Sequence, residues 1–392
     1  MTDPVRVLTL ATLFPHAAKP NFGIFVERQT AGLVQQDGFD VTVINPVGIP
    51  PWPLSLNARY KDLRRLPADE NWRGLSVHRP RFTLLPKIGS AINPRMIAAA
   101  VIPLAKKLHA ARPFDLIDAE FFYPDGPAAM RIAEALNIPF TIKARGSDIH
   151  HHAQERSSGA QLMDAAGKAA HMFAVSEALK RDMVSLGMDE AKISRHYTGI
   201  DRSKFYPRDR PAEKAKLGIS GQLILSVGAL ITRKQQDLLI RALPELPGVT
   251  LMLVGSGEAA SMYRQLASDI GVADRVIFSG PVAHDDLPPM FAAADIFALT
   301  SVSEGLANVW VEALASGTPV IASNVGGAPE LLRAPEAGRI VEQTPSAIVA
   351  AARELLNTPI SQDQVLEQVA EFSWDRNAQQ LAAAFRRVAG KG

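Results

Sequence analysis

The chain has 392 residues, enough for two domains of ordinary size, with the 47% apolar and 21% charged residues of a soluble globular protein. Its formal net charge is only +2, and with no cysteine it has neither disulfides nor thiolate metal or nucleophile sites. No run approaches the roughly 18 apolar residues that cross a bilayer, and the N-terminus lacks a signal-peptide pattern, so a cytoplasmic, soluble or peripheral protein is expected.

In chain order, Val5–Leu10 reads as a strand, followed by a loop over residues 14–23, a helix over 24–36 and a strand over 40–44. This is a β-loop-helix-β unit with Gly23 at the helix entrance, where a phosphate or an acceptor can approach the backbone and where turn geometry alone also accounts for glycine. No Gly-x-Gly-x-x-Gly fingerprint is present. A proline-rich loop covers residues 46–53. Between residues 59 and 107 lie eleven basic side chains (Arg59, Lys61, Arg64, Arg65, Arg73, Arg79, Arg81, Lys87, Arg95, Lys106 and Lys107) against Asp62, Asp69 and Glu70. Such a stretch suits an anionic membrane or a phosphorylated acceptor, or is a solvated face; without aromatic interleaving it gives no support for nucleic acid. Residues 93–111 predict a helix that Pro103 should kink or shorten.

Strands over 115–120 and 140–143 follow, with a helix over 127–136 between them. The loop of residues 120–126 closes the first of these strands, which makes Tyr123 an acceptor-side candidate. At the end of the second comes Arg145-Gly-Ser-Asp148, with Asp148 as a hydrogen-bond acceptor. His150, His151 and His152 alternate sides if extended and lack a supporting ligand set, so no metal site is expected. Ser176 is placed to cap a helix.

The second half repeats the rhythm, with a strand over 223–227, then Gly228-Ala-Leu-Ile-Thr-Arg-Lys234 and a helix over 235–243. A strand over 250–254 leads to Gly255-Ser-Gly257, expected to open a helix. A strand over 275–278 leads to Val282-Ala-His-Asp-Asp-Leu-Pro, and residues 373–388 form a last helix. The most informative stretch is residues 300–329. Ser303 reads as a helix N-cap, residues 306–316 as the helix and residues 319–323 as a strand. Glu304 stands at a strand's carboxyl end and Glu312 about two turns down the helix. The amides of Leu306, Ala307 and Asn308, behind Gly305, lie at the positive end of the helix dipole and suit a diphosphate.

Glu304-Gly-Leu through Glu312-Ala-Leu-Ala-Ser-Gly-Thr-Pro resembles the glutamate, seven residues, glutamate signature of the family 4 retaining glycosyltransferases. The resemblance covers nearly the whole chain and is strongest over 174–327. It implies an α/β GT-B fold, two facing Rossmann-like doubly wound domains with a cleft between them. The acceptor-side domain would span 1–200 and the nucleotide-sugar domain 201–373, with a helix at 374–392 crossing back; the break falls between residues 199 and 211. It implies that Glu304 contacts the donor sugar and Glu312 the ribose, with Lys234 on the diphosphate. Val282 would lie near the nucleobase, and Gly23 (in a loop that resembles the family's glycine-containing first loop), Gly228, Gly305 and the amides of Leu306, Ala307 and Asn308 near the donor. The family's arginine after Gly228 is here Ala229, and Arg233 is the candidate substitute. The family's sugar-contacting histidine is here Arg145, a catalytic candidate that can hold a phosphate or hydroxyl but cannot act as a base at neutral pH.

These expectations describe a retaining hexosyltransferase-like enzyme, using a UDP-, GDP- or ADP-sugar and no required metal, acting on a glycan or lipid-linked acceptor in bacterial polysaccharide synthesis. The basic stretch would bring it to the inner face of the membrane. The alternatives are a catalytically weak sugar-nucleotide-binding regulator, or an epimerase or phosphorylase on the same fold.

Overall fold

A computed structural model describes residues 3–85, 89–153 and 155–391. The chain divides into two compact units, Met1–Gly199 with Trp374–Gly392, and Ile200–Ser373.

The first unit is organised around β1 (Val5–Leu10), whose VRVLTL run is almost wholly buried, as a strand covered on both faces requires. Following it are β2 (Phe39–Ile44), β3 (Val47–Ile49), β4 (Asp69–Trp72), β5 (Leu75–His78), β6 (Arg81–Thr83), β7 (Leu116–Ala119), β8 (Phe140–Ala144), β9 (His171–Ala174) and β10 (Ile193–Arg195). Eight of these form a sheet in the order β10-β9-β8-β7-β1-β2-β5-β4, parallel except for the edge pair β4/β5, while β3 and β6 pair separately. The winding reverses between β1 and β7, which opens a crevice beyond their carboxyl ends. The terminal helix Trp374–Val388 belongs to this unit. It buries Leu381, Ala382 and Phe385 against Val5, Val7 and Phe39, and Arg386 donates to Asp37 O at 2.9 Å.

The second unit holds β11 (Gln222–Val227), β12 (Val249–Val254), β13 (Val276–Gly280), β14 (Ile296–Leu299), β15 (Val320–Ser323) and β16 (Gly338–Val341). They form a parallel sheet in the order β13-β12-β11-β14-β15-β16, with β11 and β14 paired through Ile224↔Ile296. The reversal falls between β11 and β14, so the loops that follow these strands lie side by side.

Several local expectations are corrected. The helix near the glutamates is Asn308–Ala315, with Ala307 in extended conformation at its N-cap, so Ser303 is not its cap. Residues 303–306 are instead held as a loop by the neighbouring strand-end loops. The helix Gly89–Ala111 runs through both Pro94 and Pro103, carried by the buried Ile97, Val101 and Ala105. The three histidines lie on one helical turn, Asp148–His152, not on an extended segment. His150 faces Asp182 at 3.0 Å, and the His152 ring stacks 4.7 Å from Tyr123. Gly255 and Gly257 do not open a helix, which begins at Ala260. A Cβ on Gly255 would lie 1.9 Å from Gly228 O, and one on Gly257 2.2 Å from Leu230 O, so these glycines let two strand-end loops touch. The basic stretch is not one solvated face, because Arg79 is 1% exposed and bonded to Glu70 and Asn45, while Arg73 pairs with Glu27. Lys87 lies outside the described residues.

Candidate functional site

In the second unit the chain turns at Gly228, where an added Cβ would still lie 4.0 Å from Lys234 Cε. Residues Thr232–Lys234 form a short turn. It is tied to the loop after β14 by Val302 N donating to Arg233 O at 2.8 Å. Across this junction Lys234 Nζ pairs with Glu304 Oε1, both side chains nearly buried at 13% and 11% exposure. The Arg233 guanidinium donates to Ser303 O and stands 3.6 Å from the same Glu304 oxygen. Two cations thus converge on one carboxylate at the reversal of the sheet, although Ala229 itself contributes no charge. The loop bearing Glu304 is backed by Gly326. A Cβ there, at φ +49°, would lie 2.1 Å from Glu304 O and 2.4 Å from Gly305 O. Gly327 N donates to Gly305 O at 2.7 Å. The Gly-Gly that follows β15 therefore serves close backbone packing behind the glutamate.

Just beyond lies the helix Asn308–Ala315, anchored by the buried Trp310, Val311, Ala313 and Leu314. Among the described residues no side chain caps it, so its first-turn amides, next to Leu306 and Ala307, lie outside the helical ladder at its positive end. On this helix Glu312 is 8% exposed, with Oε1 2.8 Å from His284 Nε2. The other carboxylate oxygen and His284 Nδ1 are both buried without a hydrogen-bond partner among the described residues. His284 sits on the turn His284–Asp286 after the half-buried Val282, its ring 5.3 Å from that of Phe205. Sequence reasoning missed this histidine. Its only signal was its place two residues beyond Val282 in the loop after β13.

The reversal point of the first unit is built differently. Glu120 is fully buried and accepts from Gln29 Nε2 at 2.7 Å, Lys143 Nζ at 3.1 Å and Arg145 NH2 at 2.5 Å. Lys143 also pairs with the buried Asp118, which accepts from Thr141 as well. Burial alone raises the Glu120 carboxyl, but Lys143 and Arg145 overturn this and hold it below the usual carboxylate range. Burial pushes Asp118 up to about 6 against the pull of Lys143. Asp125 accepts the Thr12 amide at 3.1 Å, and burial pushes it up to about 8 against the pull of the Thr12 backbone and side chain.

Three candidates of this unit are reassigned. Arg145 is spent on Glu120 and lies over Phe25 at 4.8 Å and Phe121 at 5.9 Å. Asp148 is 3% exposed and accepts the amides of Phe122, Arg145, Gly146 and Ile149, so it shapes its loop and has no capacity left for an acceptor. The space at Gly23 is filled by the chain itself, with Leu13 C and O each 2.6 Å from where a Cβ would sit at φ +72°. Tyr123 is buried and stacked on His152; burial pushes its hydroxyl up to about 12.

Known proteins place this architecture. The model described as Glycosyltransferase Family 4 matches residues 23–204, and that described as Glycosyl transferases group 1 matches residues 209–372. A protein named as a teichuronic acid biosynthesis glycosyltransferase, TuaC, of Bacillus subtilis is 30% identical over 98% of this chain and 99% of its own length. D-inositol 3-phosphate glycosyltransferases of Mycobacterium are 34% identical over 54% of this chain and 47% of theirs. Among solved structures, sucrose-phosphate synthase of Thermosynechococcus elongatus superposes with a TM-score of 0.79 at 21% identity, over 99% of this chain and all of that one. HepE of Anabaena, in complex with UDP and glucose, does so at 0.72 and 21%, over 98% of this chain and all of that one. The chain belongs to the family 4 glycosyltransferases and has their GT-B fold.

Proposed function

We propose that this glycosyltransferase moves a sugar from a nucleotide-sugar, a UDP-sugar first among the candidates, to a glycan or lipid-linked acceptor in cell-surface polysaccharide synthesis, with retention at the anomeric carbon. The observation that carries the reading is the convergence of Lys234 and Arg233 on Glu304 beside the uncapped start of the helix Asn308–Ala315. Relatives named for teichuronic acid synthesis and for UDP and UDP-glucose complexes support the choice of pathway class and donor.

In this mechanism the diphosphate rests on the first-turn amides and draws Lys234 and Arg233 to its oxygens. Glu304, released from Lys234, orients the sugar, and Glu312, held by His284, takes a ribose hydroxyl. The acceptor oxygen forms its bond to the anomeric carbon on the face from which the diphosphate leaves. The bond from that carbon to the diphosphate oxygen breaks, and the acceptor's proton passes to the leaving diphosphate. The positive groups contribute most where negative charge develops on the leaving group, the effect that usually dominates such reactions. Arg145, committed to Glu120, takes no proton in this scheme.

Thermal-shift screening with UDP-, GDP- and ADP-sugars, followed by NMR of the product linkage, tests the reading. A stabilising donor with transfer and retained configuration supports it. A donor that binds without transfer or hydrolysis favours the second reading, a sugar-nucleotide-binding protein without turnover, for which Ala229 and the committed Arg145 speak.

A further inference from the structure

Three large apolar side chains stand out in solvent within five residues of the first unit. Trp52 is 78% exposed, Leu54 53% and Leu56 61%. They lie on the loop after β3 and on the short turn Leu54–Leu56, shortly before the single helical turn Lys61–Arg65. The segment is firmly seated, because Tyr60 and Leu66 are buried and Arg81 donates to the carbonyls of Leu63 at 2.9 Å and Leu66 at 2.8 Å. Leu56 and Ala58 line a cavity of 510 Å³ whose other walls are Lys61, Arg64 and Arg65. None of these three cations forms an ion pair among the described residues, and Asp62 is the sole acid between residues 50 and 66. Elsewhere in this unit the basic side chains of Arg73 and Arg79 are spent on Glu27 and Glu70.

We propose that this loop and pocket dock the protein on an anionic phospholipid surface, with Trp52, Leu54 and Leu56 entering the headgroup region and Lys61, Arg64 and Arg65 holding lipid phosphates. Trp is suited to that boundary, since its ring is apolar and its N–H polar. Cations that keep no acid of their own are attracted to a negative leaflet. A second copy of the chain is a poor occupant, because a two-fold contact would set the same cations against each other. The site goes beyond the donor reading and does not depend on it.

The test is co-sedimentation of the full chain with phosphatidylcholine vesicles, with and without phosphatidylglycerol. Binding is expected only with phosphatidylglycerol and should weaken with added salt. A Lys61→Glu/Arg64→Glu/Arg65→Glu variant should lose about 100-fold in partition, the product of three surface charges. A Trp52→Ala/Leu54→Ser/Leu56→Ser variant should lose about 10-fold or more, as its buried apolar area is removed. Unchanged melting temperature and nucleotide affinity in both variants show that fold and donor site are intact. A blue shift of tryptophan emission on vesicle binding, absent in Trp52→Phe, would place this side chain in lipid. The proposal is overturned by wild-type protein that ignores phosphatidylglycerol, or by variants that sediment like wild type. It is equally overturned if the apolar variant instead abolishes a concentration-dependent self-association.

Discussion

The two units reverse their winding in the same way and use the resulting crevice differently. Beyond β1 and β7, charged side chains are packed out of water and satisfied by one another, with Glu120 serving Gln29, Lys143 and Arg145, and Asp148 serving four amides. Beyond β11 and β14, Lys234 and Arg233 share a single carboxylate near an uncapped helix start, and Glu312 keeps one buried oxygen without a partner among the described residues. In the first arrangement Glu120 and Asp148 are satisfied, and the buried oxygens left without a partner among the described residues, Asp125 Oδ1 and Tyr123 Oη, belong to side chains whose ionisation burial opposes. The second sets two cations and an unpartnered carboxylate oxygen around one helix start. Neither buried charge nor an unpartnered buried atom therefore marks a reaction site by itself; the two together at a helix start do.

This contrast is open to mutation. Lys143→Met removes the cation shared by two buried acids, and a denaturant titration should show a loss of about 3–5 kcal/mol, the usual effect of stranding buried charge. Lys234→Ala should lower turnover roughly 100-fold to 1000-fold, the size expected when a preorganised charge is taken from a leaving group, with a much smaller change in melting temperature. If the two lysines exchanged these effects, the contrast would be wrong. Glu312→Ala should weaken nucleotide binding by roughly 10-fold in calorimetry, the value of one charge-assisted hydrogen bond, and His284→Ala should do so by less.

The finest test is a pH series. Asp125 is held uncharged by burial up to about 8, whereas in the unfolded chain it ionises near 3.8. Unfolding then releases a proton between those values, so this group's contribution to stability is complete below pH 3.8 and is lost as pH rises toward 8. Asp125→Asn should flatten the decline by at most about 1.4 kcal/mol per pH unit. Parallel slopes for variant and wild type would show that the carboxyl is already ionised in the fold.

The alternation of short apolar strands with helices made both α/β halves legible, since strands such as VRVLTL and QLILSV have little other use than a sheet covered on both faces. The strands β4, β5 and β6, at a sheet edge or next to one, were not legible, because DENW, LSVH and RFT carry the polar residues of partly exposed strands. At the candidate site, the run from Glu304 to Glu312 drew attention through its spacing and glycines. The start of its helix was misread because local capping preference at Ser303 gave way to ties from Arg233 and Gly327. The pairing of His284 with Glu312 joins residues 28 apart through the packing of a turn on a helix, which no local pattern encodes. Arg145 and Asp148 looked available because their partners, Glu120 and the amide of Phe122, are contributed by the end of a neighbouring strand and the loop after it.

The account rests on exchange of one ion pair for another, and a structure with a bound UDP-sugar observes that exchange directly. Lys234 should leave Glu304 and lie within hydrogen-bond distance of the diphosphate, with the diphosphate on the amides that begin the helix Asn308–Ala315. A diphosphate bound elsewhere, with the pair of Lys234 and Glu304 intact, would contradict it.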